Sequence, residues 1–384
     1  MTYNERFFRY LTTFIFYLDA FLLGFRGIVL SSYWNLGLYM SMIAIFIYTT
    51  LFVLILLQSY SAREIILILP LLFLSFLIYI NIKSTIPLYT VFFIIAAKNK
   101  DLRNLFKSNL AGVVIAYTII IMMALCGRIK SDIDYFDNSS SLGFINQNGL
   151  AGRALYITLL IVVLCFHKLG YVSYYLLIVH ALIIGNVSKS RTGLILSIFI
   201  VILSIVLRKS LWIKKLFFKY IKFTLLFIVV FCILGFIFCK INPVLLKLDE
   251  VLSGRFRWAQ IYFITYGVNL FGSITDDISE VGYGHLVLDN GYAYLLVKFG
   301  IIYYLVYIFM FYFSAKELTR QKNVEGVFLI LITFIGLITE TSWIPINTNI
   351  TLCICSVTLY LKNAEITFLQ KLKRNKFVLL CFKA

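Results

Sequence analysis

Runs of about 17–25 apolar residues recur along nearly the whole chain, and each has the length that crosses a lipid bilayer as an α-helix. In hydrocarbon every backbone N–H and C=O must be satisfied within the protein. Such runs therefore fold as helices, since barrel strands would be short and alternating. Composition agrees. The 384 residues are 61% hydrophobic and 14% charged, whereas a soluble domain carries roughly 25% charged and about 45–50% apolar residues. A water-soluble core cannot hide that much apolar surface. The expected fold is all-α: a single polytopic membrane domain over 1–384 with about twelve transmembrane helices. The spans fall near 8–25, 37–57, 65–81, 84–97, 109–126, 149–166, 170–186, 193–207, 221–239, 291–315, 326–340 and 344–361. Segment 240–290, between spans nine and ten, is expected to be one large external loop containing short helices. Arg6 and Arg9 precede a first run with no small-residue cleavage site, so that run is expected to remain as an anchor.

The net charge of +18 is read through its distribution. With the N-terminus in the cytoplasm, the inside loops hold Arg63, Lys98, Lys100, Arg103, Lys107, Lys168 and the acid-free run RKSLWIKKLFFKYIK. They also hold Lys316, Arg320, Lys322 and the basic tail at Lys371, Lys373, Arg374 and Lys376. This is the positive-inside bias. The bulk of the charge orients the protein, with both termini cytoplasmic, and does not mark a nucleic-acid binder. The seven cysteines lie mostly in apolar runs, without zinc spacing. Asp132 and Asp134 form a DxD in a merely polar loop, and no metal is expected.

The exceptions to the bias point to chemistry. In this topology Arg128, Lys130, Arg153, Lys189, Arg191, Arg255 and Arg257 all face outward, where an anionic partner would compensate them. In NVSKSRTGL, Ser190 or Thr192 can cap a helix whose free amides and dipole favour an anion, and Arg191 adds a phosphate fork. LGFINQNGLAGRAL has the same design: Asn146 and Asn148 can cap, and Arg153 falls in the first turn. In SGRFRWAQIYFITYG, Ser253 is a candidate cap for a helix that opens on Arg255 and Arg257. Trp258, Ile261, Tyr262 and Thr265 would form its interfacial stripe. In VGYGHLVLDNGYAYLLVKFG, His285 and Asp289 are each able to accept a proton from a sugar hydroxyl, and Asn290 stands at the head of span ten. Lys298 lies two turns deeper, with Glu340 or Asp19 as possible mates.

These motifs, in this order over about 142–310, resemble the bacterial Wzy-type polysaccharide polymerases and the related O-antigen ligases. The resemblance rests on FINQNGLAG before a middle span, SRTG at a later one, SGRFRW in the large loop and DNGYAYLLVKFG closing it. It implies a multi-pass protein of the bacterial cytoplasmic membrane with its active site on the outer face. The implied reaction is a metal-independent inverting transfer without a cofactor. A growing glycan passes from undecaprenyl diphosphate to a hydroxyl of an incoming lipid-linked repeat unit. Under this resemblance Arg191, Arg255, Arg257 and Arg153 would hold the departing diphosphate. Asn146, Asn148 and Asn290 would touch the sugar, and His285 or Asp289 would be the base. Partners would be the undecaprenyl-diphosphate-linked oligosaccharides, the bilayer, a chain-length regulator and a flippase. Many relatives carry His-Asn where this chain has Asp289-Asn290, so the base stays open between the two residues. A ligase-type transferase, a flippase of lipid-linked sugars and a non-catalytic envelope partner are the alternatives. A flippase would need ionisable groups along the bilayer midplane, where only Asp19, Lys298 and Glu340 are candidates.

Overall fold

The computed structural model describes residues 3–134, 139–275 and 288–360. The first half of the described chain contains α1 (Tyr3–Val29), α2 (Gly37–Leu56), α3 (Ala62–Ile82), α4 (Ile86–Ala96) and α5 (Leu102–Leu125). A two-residue antiparallel pair follows, β1 (Ile133–Asp134) with β2 (Ser139–Ser140). Then come α6 (Gln147–Cys165), α7 (Tyr171–Ser188), α8 (Arg191–Lys209) and α9 (Leu211–Phe238). The remaining helices are α10 (Pro243–Val251), α11 (Arg255–Tyr266), α12 (Gly291–Lys298), α13 (Gly300–Arg320), α14 (Val324–Thr339) and α15 (Ser356–Leu359). Two 3-10 segments, Thr341–Trp343 and Ile350–Cys355, lie between α14 and α15. Among the described residues nine helices are long and apolar enough to cross a membrane: α1, α2, α3, α5, α6, α7, α8, α9 and α13. The architecture is that of a multi-pass membrane protein.

Burial separates lipid-type surface from core. Large apolar side chains such as Leu38, Ile66, Phe73, Tyr171 and Phe227 are exposed on α2, α3, α7 and α9, an arrangement that water would penalise and hydrocarbon would not. By contrast α14 is buried on nearly every side, which is how a helix that is apolar all round must be used. α1 and α5 lie close against each other. A Cβ on Gly112 would stand 2.1 Å from the Phe21 carbonyl oxygen, so only glycine admits this backbone approach.

Three of the expected spans hold apolar helical pieces shorter than 18 residues. Segment 84–97 contains the 11-residue helix α4, about 16 Å long at 1.5 Å per residue. Segment 326–340 is the 16-residue α14, and 344–361 holds a 3-10 turn and the four-residue α15. These pieces are largely buried among other helices, so protein groups rather than segment length can satisfy their backbones. The expected continuous span 291–315 is broken between α12 and α13. There Gly300 has φ +86°, and its Cβ would fall 2.4 Å from the amide nitrogen of Gly272. The irregular stretch 269–273 docks on the break: Ile301 N–H donates to Asn269 O at 3.0 Å and Ser273 N–H to Lys298 O at 3.2 Å. Hydropathy could not register this break, because both sides of it are equally apolar.

A candidate anion and sugar site at one end of the bundle

Two adjoining clefts open at the end of the bundle where α6, α8, α11 and α12 begin. The first, of 550 Å³, is lined by Ser31, Asn146, Asn148, Arg153, Asp289, Glu340 and Ser342, among others. The second, of 690 Å³, is lined by Asn186, Ser190, Arg191, Thr192, Ser253 and Arg255, among others. Asn148 and Lys189 belong to both walls, so the two clefts meet there.

Local sequence builds each wall. α7 ends at Lys189 in the left-handed conformation (φ +52°), and the chain turns at once into α8. Ser190 is the extended N-cap residue, but its hydroxyl does not cap. The first amides of α8 therefore keep their donors for something else. Arg191 is the first residue of that helix and is exposed, without an ion pair among the described residues. At α6 the Asn146 side chain does cap, accepting from Gly149 N at 2.5 Å. Asn148 then sits in the first turn, facing both clefts. Arg153, one turn further, is buried with Nε 3.4 Å from Ser31 Oγ. Beneath it Tyr156 donates to Asn109 Oδ1 at 2.9 Å and accepts from Ile350 N at 3.0 Å, which ties the segment after α14 to the bundle.

α11 is capped differently from the expectation. Ser253 and Gly254 both have positive φ, and the cap is the carboxylate of Asp249. Its Oδ1 accepts from Phe256 N at 2.7 Å, and its Oδ2 accepts from Arg257 Nε at 2.6 Å. Arg257, expected to bind diphosphate, is thus turned to Asp249 and lines neither cleft. Of the expected stripe, Trp258 and Thr265 are exposed and Ile261 half-buried, while Tyr262 is buried. The opposite face, with Phe256 and Ala259, is buried, because Phe256 packs between Phe231 and Phe236 of α9. Replacing Asp249 with alanine is expected to cost about 2 kcal/mol, the loss of a helix cap and charged hydrogen bonds. A lowered melting temperature in detergent and faster tryptic cleavage after Arg257 would report it.

Arg255 occupies the junction. It is 6% exposed, with Nη2 3.3 Å from Glu340 Oε1 and Nη1 3.4 Å from Asp289 Oδ2. Among the described residues its Nε has no hydrogen-bond partner and Nη1 has only the long ion-pair contact to Asp289, a costly state for a buried guanidinium unless a ligand supplies acceptors. The carboxylates respond to the same setting. Burial pushes Glu340 up to about 7 against the pull of the Arg255 guanidinium. Burial likewise holds Asp289 above the usual aspartate range, again opposed by Arg255.

Thus Arg153, Arg191, Arg255, Asn146, Asn148 and Asp289 line the paired clefts. His285 lies outside the described residues. Asn290, expected on the sugar, is buried and used at both ends: Oδ1 accepts from Ala293 N and Nδ2 donates to Ile338 O. It positions α12 beside α14. Lys298 stacks its ammonium 5.0 Å over the Tyr294 ring and meets neither Glu340 nor Asp19. Asp19 instead accepts from Thr50. Asp132 is held by Lys130 and Tyr33. Sequence reasoning did not place Glu340 in the outer site, treating it as a mate for Lys298 and as a midplane candidate for a flippase path. The usable signal was a lone carboxylate at the end of an apolar run, on the same expected face as a set of unpaired arginines. No family model, curated protein or solved structure matches the chain.

Proposed function

We infer that this protein is a membrane polysaccharide polymerase. It transfers a growing glycan from a polyprenyl diphosphate to a hydroxyl of a second lipid-linked repeat unit, at the outer face of the cytoplasmic membrane. The observation that carries the reading is Arg255: a buried guanidinium whose Nε has no partner among the described residues, at the meeting of a cationic cleft and a cleft lined by Asp289, Glu340, Asn146, Asn148 and Arg153. Arg191, Arg255 and the open amides of α8 suit a diphosphate that gains charge as the glycosidic bond breaks. Preorganised donors at a developing anion are commonly the largest catalytic contribution. Asn146 and Asn148 suit the hydroxyls of a sugar. The basic segments around Lys98, Lys168 and Lys214 follow α4, α6 and α8, at turns alternate to those of the clefts, which supports placing the clefts outside. In that topology α4, α14 and the 350–359 segment complete about twelve traverses, several of them shielded from lipid.

The test is extension of purified lipid-linked repeat units by the isolated protein. The Arg191→Ala variant is expected to lose on the order of 10²–10³ in extension rate while the repeat units stay intact. An unchanged polymer profile would reject the catalytic reading, and repeat units stranded on the inner leaflet of cells would favour a flippase. Labelling of a cysteine at position 191 from the cytoplasmic side would overturn the orientation.

A further inference from the structure

The geometry points to Glu340 as the catalytic base of the proposed transfer, with the cleft between Asn146 and Ser342 as the acceptor-sugar subsite; this rests on the polymerase reading above. Three observations lead there. Glu340 and Asp289 both line the 550 Å³ cleft, but the Glu340 side chain is 15% exposed and Asp289 33%. The deeper carboxylate is the better shielded from water, where a positioned acceptor counts most. Glu340 is also held on a stiff support. It is the residue after α14, its N–H donates to Gly336 O at 3.0 Å, and the 3-10 turn Thr341–Trp343 follows immediately. Finally, Arg255 touches Glu340 while lining the neighbouring cationic cleft. One guanidinium therefore spans the two places where charge changes during transfer.

The chemistry balances. The acceptor hydroxyl oxygen forms a bond to the anomeric carbon of the donor. The bond from that carbon to the phosphate oxygen breaks, and its electron pair leaves with the diphosphate on Arg191 and Arg255. The hydroxyl proton passes to the Glu340 carboxylate, which returns it to water before the next turnover.

The charged groups around Glu340 set the pH dependence. Among the described residues these are Arg255 on α11, Asp289 before α12, Arg153 on α6 and Lys189 at the end of α7. A base works when deprotonated, so the rate should rise with pH and level off above about 7. The experiment measures transfer between purified lipid-linked repeat units from pH 5 to 9, together with retention of labelled polyprenyl diphosphate.

Glu340→Gln should lower the rate by about 10²–10⁴ and abolish the acid limb without loss of diphosphate retention, since it frees Arg255 from its ion pair. Glu340→Asp keeps the charge; it should keep a limb, displaced, at reduced rate. Asp289→Asn should keep the limb but move it to lower pH, since Asp289 is one of the charges that raises Glu340. A Glu340→Gln protein with the wild-type limb, a Glu340→Asp limb identical to wild type, or loss of the limb in Asp289→Asn would each overturn the assignment while leaving polymerase activity established. Failure of the wild-type protein to transfer would remove the polymerase reading itself, and this assignment with it.

Discussion

Arg255→Ala is expected to cut glycan transfer by about 10³ or more. Two losses coincide. The departing diphosphate loses a guanidinium that is preorganised and 6% exposed, and the carboxylates lose the cation that pulls their pKa values down. Glu340 stands near 7 with Arg255 present. Without Arg255 it must rise further, because burial and the Asp289 charge are then opposed only by the weaker pull of Arg153. The acid limb of the rate profile should accordingly move to higher pH. Rate–pH profiles of the wild type and the variant check both parts. Unchanged transfer, or a lower rate with the limb in place, would separate Arg255 from Glu340. Arg255→Lys should recover only part of the rate, since a point charge cannot span a carboxylate and a phosphate as the planar fork does.

Gly300→Val is expected to destabilise the fold by about 4 kcal/mol, from left-handed strain at a β-branched residue together with overpacking. Gly300 is where α12 ends and α13 starts, with φ +86°. Any Cβ there would press into the backbone at 270–272. Relief would require the stretch 269–273 to lift off the break, and with it the hydrogen bond from Asn81 Nδ2 to Gly272 O at 2.9 Å. Loss of monodisperse protein on size exclusion in detergent, with a melting temperature well below wild type, is the expected readout. A stable Gly300→Val protein would show that the break is not under this constraint.

Much of the fold was legible in the sequence because a bilayer leaves the chain little choice. An apolar run that must satisfy its own backbone becomes a helix, so α1, α2, α3 and α5 to α9 stand close to where hydropathy places them. Local capping was legible for the same kind of reason. Asn146 reaches an amide only three residues away, and that geometry is contained in the local sequence. Where the partner was distant, reading failed. The cap of α11 comes from Asp249 on another helix, which removes Arg257 from the clefts. The interruption at Gly300 depends on a stretch some 30 residues earlier, and nothing in the apolar pattern announces it.

By itself the sequence determined that this chain forms many apolar helices and that a set of arginines lacks neighbouring acids. Both follow from residue chemistry over a few turns of chain. Only the tertiary structure decided which arginine is buried and what it meets. Arg255 and Glu340 are 85 residues apart, and their contact exists because α11, α12 and α14 pack with their ends together. A charge taken out of water is defined by the groups folded around it rather than by its neighbours along the chain. For that reason the pairing of base and anion site became visible only once the helices were assembled.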